Sequence, residues 1–294
     1  MHTTFHLASV ALHVSSACTH IFFTPFVSRH FTKQLVPTTN SFNLVYDLLD
    51  QLPLIDKVDF TGETQDQTEM PFRWMLTRNQ FGSLNIQLQL LEDPLLHGAC
   101  VQMNFIKNHI AVQLVPKNSS QPLNIDPLFH PLSALLMVTL AHRQNAFLIH
   151  ASGIQDGNLG AIFSAVSGTG KSTMAKIWGS RGAKIVNDDR LWIECINNQW
   201  YMFSNPMQWY AQKALMAPIH KIFLIRQSPT NEVAEIKGLN ASMRVMSNCI
   251  QHLYSRELTS SHLDNVLRFT QDVPVYDCGF KPDSEITEII RSLD

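Results

Sequence analysis

Between Ala165 and Ser172 the chain reads AVSGTGKS, and the adjacent acids Asp188 and Asp189 follow in KIVNDDRLWI. Gly168 and Gly170 permit backbone geometry closed to other residues, so successive N–H groups can turn inward around an anion. Ser167, Gly168, Thr169, Gly170, Lys171, Ser172 and Thr173 are therefore the expected nucleotide-binding residues. Lys171 suits the terminal phosphates as a point charge, and the Ser172 hydroxyl suits a magnesium shell. The usual pattern G-x-x-x-x-G-K-[ST] opens on glycine; Ala165 stands there and adds only a methyl group. Of two neighbouring carboxylates near such a loop, one can hold magnesium. The other can accept the proton of an attacking hydroxyl.

The flanking residues supply the elements that must position this chemistry. GAIFSAV (160–166) is a short apolar run predicted as a strand, and STMAKIWGS after it reads as a helix stopped by Gly179 and Gly182. Lys184 to Val186 predicts a strand beside the one feeding the loop, with the acids at its carboxyl end. His150 closes the apolar run AFLI. If AFLIHASGI pairs with GAIFSAV across the QDGN turn, His150 comes near the loop, where imidazole can ligate a metal or contact phosphate.

The stretch LIHASGIQDGNLGAIFSAVSGTGKSTMAKIWGSRGAKIVNDDRLWI resembles the catalytic core shared by HPr serine kinase/phosphorylase, ATP-dependent phosphoenolpyruvate carboxykinase and the smaller HPr-kinase-like proteins, lasso-peptide serine kinases among them. The resemblance implies a P-loop kinase domain that uses ATP and Mg2+. It implies that Lys171 contacts the β- and γ-phosphates, that Ser172 and Asp189 serve the metal, and that Asp188 deprotonates the acceptor. His150 falls where the carboxykinases place a metal-binding His. Downstream, APIHKIFLIRQ, ASMRVMSNCIQHLY, VPVYDCGF and PDSEITEIIRSL look like the strand, helix, strand and terminal helix that finish the HPr-kinase-like proteins. The glycine-rich, arginine-containing segment of HPr kinase/phosphorylase itself is missing, and the chain lacks a carboxykinase's length. The HPr-kinase-like branch is left. The acceptor it implies is a hydroxyl on a peptide, protein or small molecule, most simply a Ser; a non-catalytic nucleotide-binding module of the same fold is the alternative.

The whole chain sets outer bounds. Its 294 residues, 45% hydrophobic, allow one large domain or two ordinary ones. A net charge of −2 with 16% charged residues carries no electrostatic footprint for nucleic acid or acidic lipid. Five cysteines without metal-like spacing fit a reducing compartment. LASVALHVSSAC has no Lys or Arg before it and is expected to be a strand, and no run approaches the roughly 20 apolar residues of a membrane span. The expectation is a cytoplasmic protein, with room for an oligomer.

The fold class expected is mixed α/β: a strand-rich N-terminal domain over residues 1–125 and a P-loop domain over 126–294. SLNIQLQLL alternates apolar and polar residues as a half-buried strand does, and CVQMNFI with HIAVQLV predicts a hairpin around Lys107-Asn108. FNLVYDLLDQL is expected to be a helix ended by Pro53, and HPLSALLMVTLAHRQ a second one. LWIECI and WYMFS predict a hairpin around Asn197-Asn198. Ser204, Asn205, Trp209 and Tyr210 are candidates for acceptor binding, and Arg190, Lys213, Lys221 and Arg226 for neutralising the transferring phosphate.

Overall fold

The computed structural model describes residues 3–55, 57–64, 70–78, 83–207, 213–252 and 255–293. The fold is mixed α/β, and the chain divides into two compact units: Met1–Leu135 with Pro206–Ala211, and Leu136–Asn205 with Gln212–Asp294.

The first unit is built on strands β1 (Thr3–Leu7), β2 (Val10–Ser16), β3 (Ile21–Phe23), β4 (Asn40–Leu48), β5 (Phe60–Glu63), β6 (Phe72–Arg78), β7 (Leu84–Leu90), β8 (Leu96–Asn104), β9 (His109–Pro116) and β10 (Leu123–Ile125). Eight of them form one sheet in the order β1-β2-β4-β9-β8-β7-β6-β5, and β3 pairs with β10. Alternation explains its faces. Leu84, Ile86, Leu88 and Leu90 of β7 are buried, and so are Ala99, Val101 and Met103 of β8 and Ile110, Val112 and Leu114 of β9. The expected helix FNLVYDLLDQL is instead mostly β4. Phe42, Leu44 and Tyr46 are buried while Asn43 and Asp47 are exposed, a period of two that helical spacing does not fit.

The second unit follows helix α1 (Leu132–Arg143), whose first turn still belongs to the first. Its strands are β11 (Phe147–Asp156), β12 (Leu159–Ser164), β13 (Lys184–Ile196), β14 (Gln199–Phe203), β15 (Met216–Pro218), β16 (Lys221–Gln227), β17 (Glu232–Ile236), β18 (Cys249–Ile250) and β19 (Val275–Phe280); its helices are α2 (Lys171–Ser180), α3 (Gly238–Met246), α4 (Arg256–Asp272) and α5 (Glu285–Arg291). The sheet order is β15-β14-β13-β11-β12-β16-β19-β17, with β18 joined to β11. β12, β16 and β19 run parallel, whereas β11 pairs antiparallel with both β12 and β13.

Apolar residues on the two faces of this sheet make two cores. One gathers Ile149, Ile162, Leu191 and Ile222 against Val245 of α3 and Val266 and Phe269 of α4. The other packs Phe163 and Phe223 against Trp178 of α2 and Ile286 and Ile290 of α5. The turns match their residues: Asn197 and Asn198 both take positive φ, as a two-residue hairpin between β13 and β14 requires. Helix α4, which the sequence reading did not anticipate, starts on Ser255, whose hydroxyl accepts from the Leu258 N–H.

His142 of α1 and His262 of α4 meet edge to face in this core, ring centroids 4.8 Å apart. Burial lowers the His142 pKa to about 3, with His262 and His252 adding to the shift, and burial lowers that of His262 to about 4. Both rings are neutral when folded and bind protons at an ordinary value near 6.5 when unfolded. Their contribution to stability is therefore complete above about pH 6.5 and is lost as pH falls toward 4. At pH 5 each should have cost at most about 2 kcal/mol. Urea unfolding at pH 7.5 and 5.0 checks this: His262→Phe should flatten the pH dependence, and an unchanged slope would rule the pair out as its source.

Candidate functional site

Strand register assembles the site. Ser164, Ala151 and Asp189 share one cross-strand row over β12, β11 and β13, and Phe163, Ser152 and Asp188 share the next. Neighbouring rows present their side chains to opposite faces of a sheet. Phe163 stacks on Trp178 and the Ser152 hydroxyl donates to the Lys171 carbonyl at 3.0 Å, so their row faces α2. Asp188 lies in that row, on the side of Ser172 in the first turn of α2, whose hydroxyl acts to lower the carboxyl's proton affinity.

The expected phosphate loop leaves β12 and enters α2 through two glycines with positive φ, Gly168 at 77° and Gly170 at 115°. A Cβ on Gly170 would sit 2.8 Å from Phe280 Cζ. Conformation and space thus both demand glycine. Gly170→Ala should abolish measurable nucleotide binding and cost about 1–3 kcal/mol of stability. Calorimetric titration with ATP alongside thermal melting measures both, and unimpaired affinity would contradict the assigned loop geometry.

Electrostatics separate the two acids. Burial, reinforced by Asp189, raises the Asp188 pKa against the opposing influence of the Ser172 hydroxyl and the charges of Lys176 and Lys171. Asp189 instead forms an ion pair with Arg190, Nε and Oδ2 being 3.0 Å apart, and His150 Nε2 stands 3.6 Å from its Oδ1. The His150 pKa is lowered by burial first and Lys171 second, which keeps the imidazole neutral near pH 7. Lys171 is itself buried, and burial lowers its pKa while both aspartates oppose the shift. Its ammonium donates to the carbonyls of Ala165 and Val166, each at 3.0 Å.

Several expectations need correcting here. The acids do not end a strand, because β13 runs unbroken from Lys184 to Ile196 and takes in LWIECI. Nor is β13 beside the strand that feeds the loop; β11 lies between them. Of the two acids it is Asp188 whose strand row faces α2 and Ser172. The expected hairpin of β11 and β12 is present, and it brings His150 to the acids.

Of the four candidate cations, Arg190 alone contacts an acid of the pair: Lys221 donates to the Leu293 carbonyl, and Arg226 binds Asp277 and Glu232. Lys213 is exposed, and its carbonyl accepts from Ser204. Ser204 and Asn205 are buried and bonded to backbone, Asn205 Nδ2 donating to the Arg190 carbonyl at 2.9 Å, so they hold a corner rather than present a surface. Trp209 and Tyr210 lie outside the described residues.

The sequence reading gave no role to Ser152 or Asn187. Ser152 ties β11 to α2, and Asn187 Oδ1 accepts the Asp188 N–H at 2.7 Å. Both side chains are fully buried, and small polar residues inside apolar strand runs are the signal that could have flagged them. Beside the loop a cavity of about 500 Å³ opens among Thr169, Gly170, Thr173, Gln227, Pro229 and Phe280.

No protein-family model and no curated protein matches the chain. Among solved structures it is similar to the Hpr(Ser) kinase/phosphatase from Coxiella burnetii, at 15% identity over 50% of this chain and 87% of that chain, with a TM-score of 0.29. The geometry of the site, and not this likeness, carries the functional reading.

Proposed function

We propose that the second unit is an ATP-dependent kinase that transfers the γ-phosphoryl group to a hydroxyl, a Ser side chain on a peptide or small protein being the leading acceptor. The observation that carries this is the placement of Asp188 in the strand row that faces α2, beside Ser172 in the first turn of that helix and directly after the two left-handed glycines. A nest of N–H groups for phosphate thus adjoins a carboxylate of raised proton affinity.

The donor set fits magnesium. A hydroxyl and carboxylates are the hard oxygen ligands this ion takes, supplemented by phosphate and water. Ser172 would hold it with the acids, Asp189 as the resemblance implies or Asp188 as its place in the row facing α2 favours; bound there it would neutralise charge on the phosphates. Asp188, ionised, would take the acceptor's proton as its oxygen bonds to phosphorus and the bond to the β-phosphate oxygen breaks. Lys171 would exchange its loop carbonyls for phosphate oxygens. His150, neutral, would orient Asp189, and Arg190 would hold that carboxylate in place. The cavity beside Gly170 and Phe280 offers space for the remainder of the nucleotide.

One observation favours the rival, a module that binds nucleotide without transfer: Lys171 is occupied by the Ala165 and Val166 carbonyls. Incubation with γ-labelled ATP, Mg2+ and Ser-containing peptides separates the two. Acid-stable label on Ser supports the kinase. Tight nucleotide binding with neither transfer nor hydrolysis supports the module.

A further inference from the structure

The solvent-side face of the first unit's sheet is where its alternation yields an unexpected result. Opposite the buried leucines, the register lines up Met75, Gln87, Cys100, Gln113 and Asp47 in one row over β6, β7, β8, β9 and β4. The next row begins with Thr77, Asn85 and Gln102. A polar face of this kind is ordinarily solvated, yet Gln87 is only 5% exposed and its Oε1 has no hydrogen-bond partner. Buried acceptors are nearly always satisfied, so an orphan among polar neighbours points to a missing donor.

Gln87 lines a cavity on this face. Pro53, Leu54 and Ile55 face the sheet across a cavity of about 430 Å³, within the size range of ligand pockets. Four amides, Asn85, Gln87, Gln102 and Gln113, line it together with the Thr77 hydroxyl. They supply donors and acceptors in equal kind. No acidic side chain is among the described lining residues, and Lys57 and Arg78 stand there as cations. Among the described lining residues there is no aromatic ring either.

We propose that this cavity binds a short extended peptide segment, uncharged or anionic. The main chain of such a segment alternates N–H and C=O groups, which amides at strand spacing match in both senses. Its apolar side chains would meet Pro53, Ile55 and Leu54, the last 98% exposed at the rim. A donor N–H from the peptide would satisfy Gln87 Oε1. This binding site is independent of the kinase reading.

The test is NMR on the full chain, following the side-chain amide signals of Gln87, Gln102 and Gln113 during titration with a pool of neutral N-acetyl tetrapeptide amides. Saturable shifts at these amides are expected, with affinity at least tenfold weaker in Gln87→Leu. Because Gln102 is exposed, Gln102→Ala keeps the fold and should also weaken binding. Absence of shifts up to millimolar peptide, equal affinity in both variants, or equal shifts from maltotriose or AMP would each overturn the proposal.

Discussion

Asp188→Asn should reduce phosphoryl transfer by about 10²–10⁴-fold, the usual worth of a positioned general base, while nucleotide affinity stays within a few-fold of the parent. The substitution keeps the shape of the side chain but removes the proton acceptor. Because burial raises the Asp188 pKa, the same assignment fixes the sign of the pH profile. The base works ionised, so activity is lost as pH falls through that raised value, above the ordinary carboxylate range. Single-turnover rates with saturating nucleotide, measured across pH, read both effects. Turnover equal to the parent in the Asn variant would remove Asp188 from the role of base.

The second large effect belongs to Lys171. Charge-assisted hydrogen bonds contribute roughly 1.5–3 kcal/mol each, so Lys171→Ala should weaken ATP binding by about 10–100-fold. The loop should survive this change. Its left-handed turns belong to Gly168 and Gly170, and Ser152 grips the Lys171 backbone carbonyl rather than its side chain. Calorimetry on the variant should therefore show weak ATP binding with a nearly unchanged melting temperature. Undiminished affinity would mean that the ammonium stays on the Ala165 and Val166 carbonyls when nucleotide is present.

What could be read from the sequence follows the range of the forces involved. The glycine-rich turn into α2, α2 itself and the turn at Asn197-Asn198 are local features, dictated by glycine, lysine and asparagine within a few residues, and they were readable. FNLVYDLLDQL misled because Leu48, Leu49 and Leu52 mimic helical spacing; pairing with β2 and β9 makes Asn40–Leu48 a strand. Tertiary pairing overrode a weak local signal there.

The placement of Asp188 and Asp189 shows the same limit more sharply. The adjacent acids were legible as a pair, but their neighbours were not, because strand order is a non-local property. The insertion of β11 between β12 and β13 sets which acid meets Ser172 and which meets His150. A register irregularity between Gly153 and Ile154 adjusts β13 just before the pair, a device common beside functional sites. The Gln87 cavity was illegible for a similar reason. Alternation identified the polar face of β7, and nothing in it foretold a wall at Pro53 to Ile55.

The most direct test of the central claim is a crystal structure of the full chain with Mg2+ and a non-hydrolysable ATP analogue. The account predicts the triphosphate wrapped by residues 167–173, Lys171 moved from its carbonyls to phosphate, and the γ-phosphoryl group one hydroxyl's width from Asp188. A triphosphate bound elsewhere, or a γ-phosphate pointing away from Asp188 with Lys171 still on Ala165 and Val166, would contradict it.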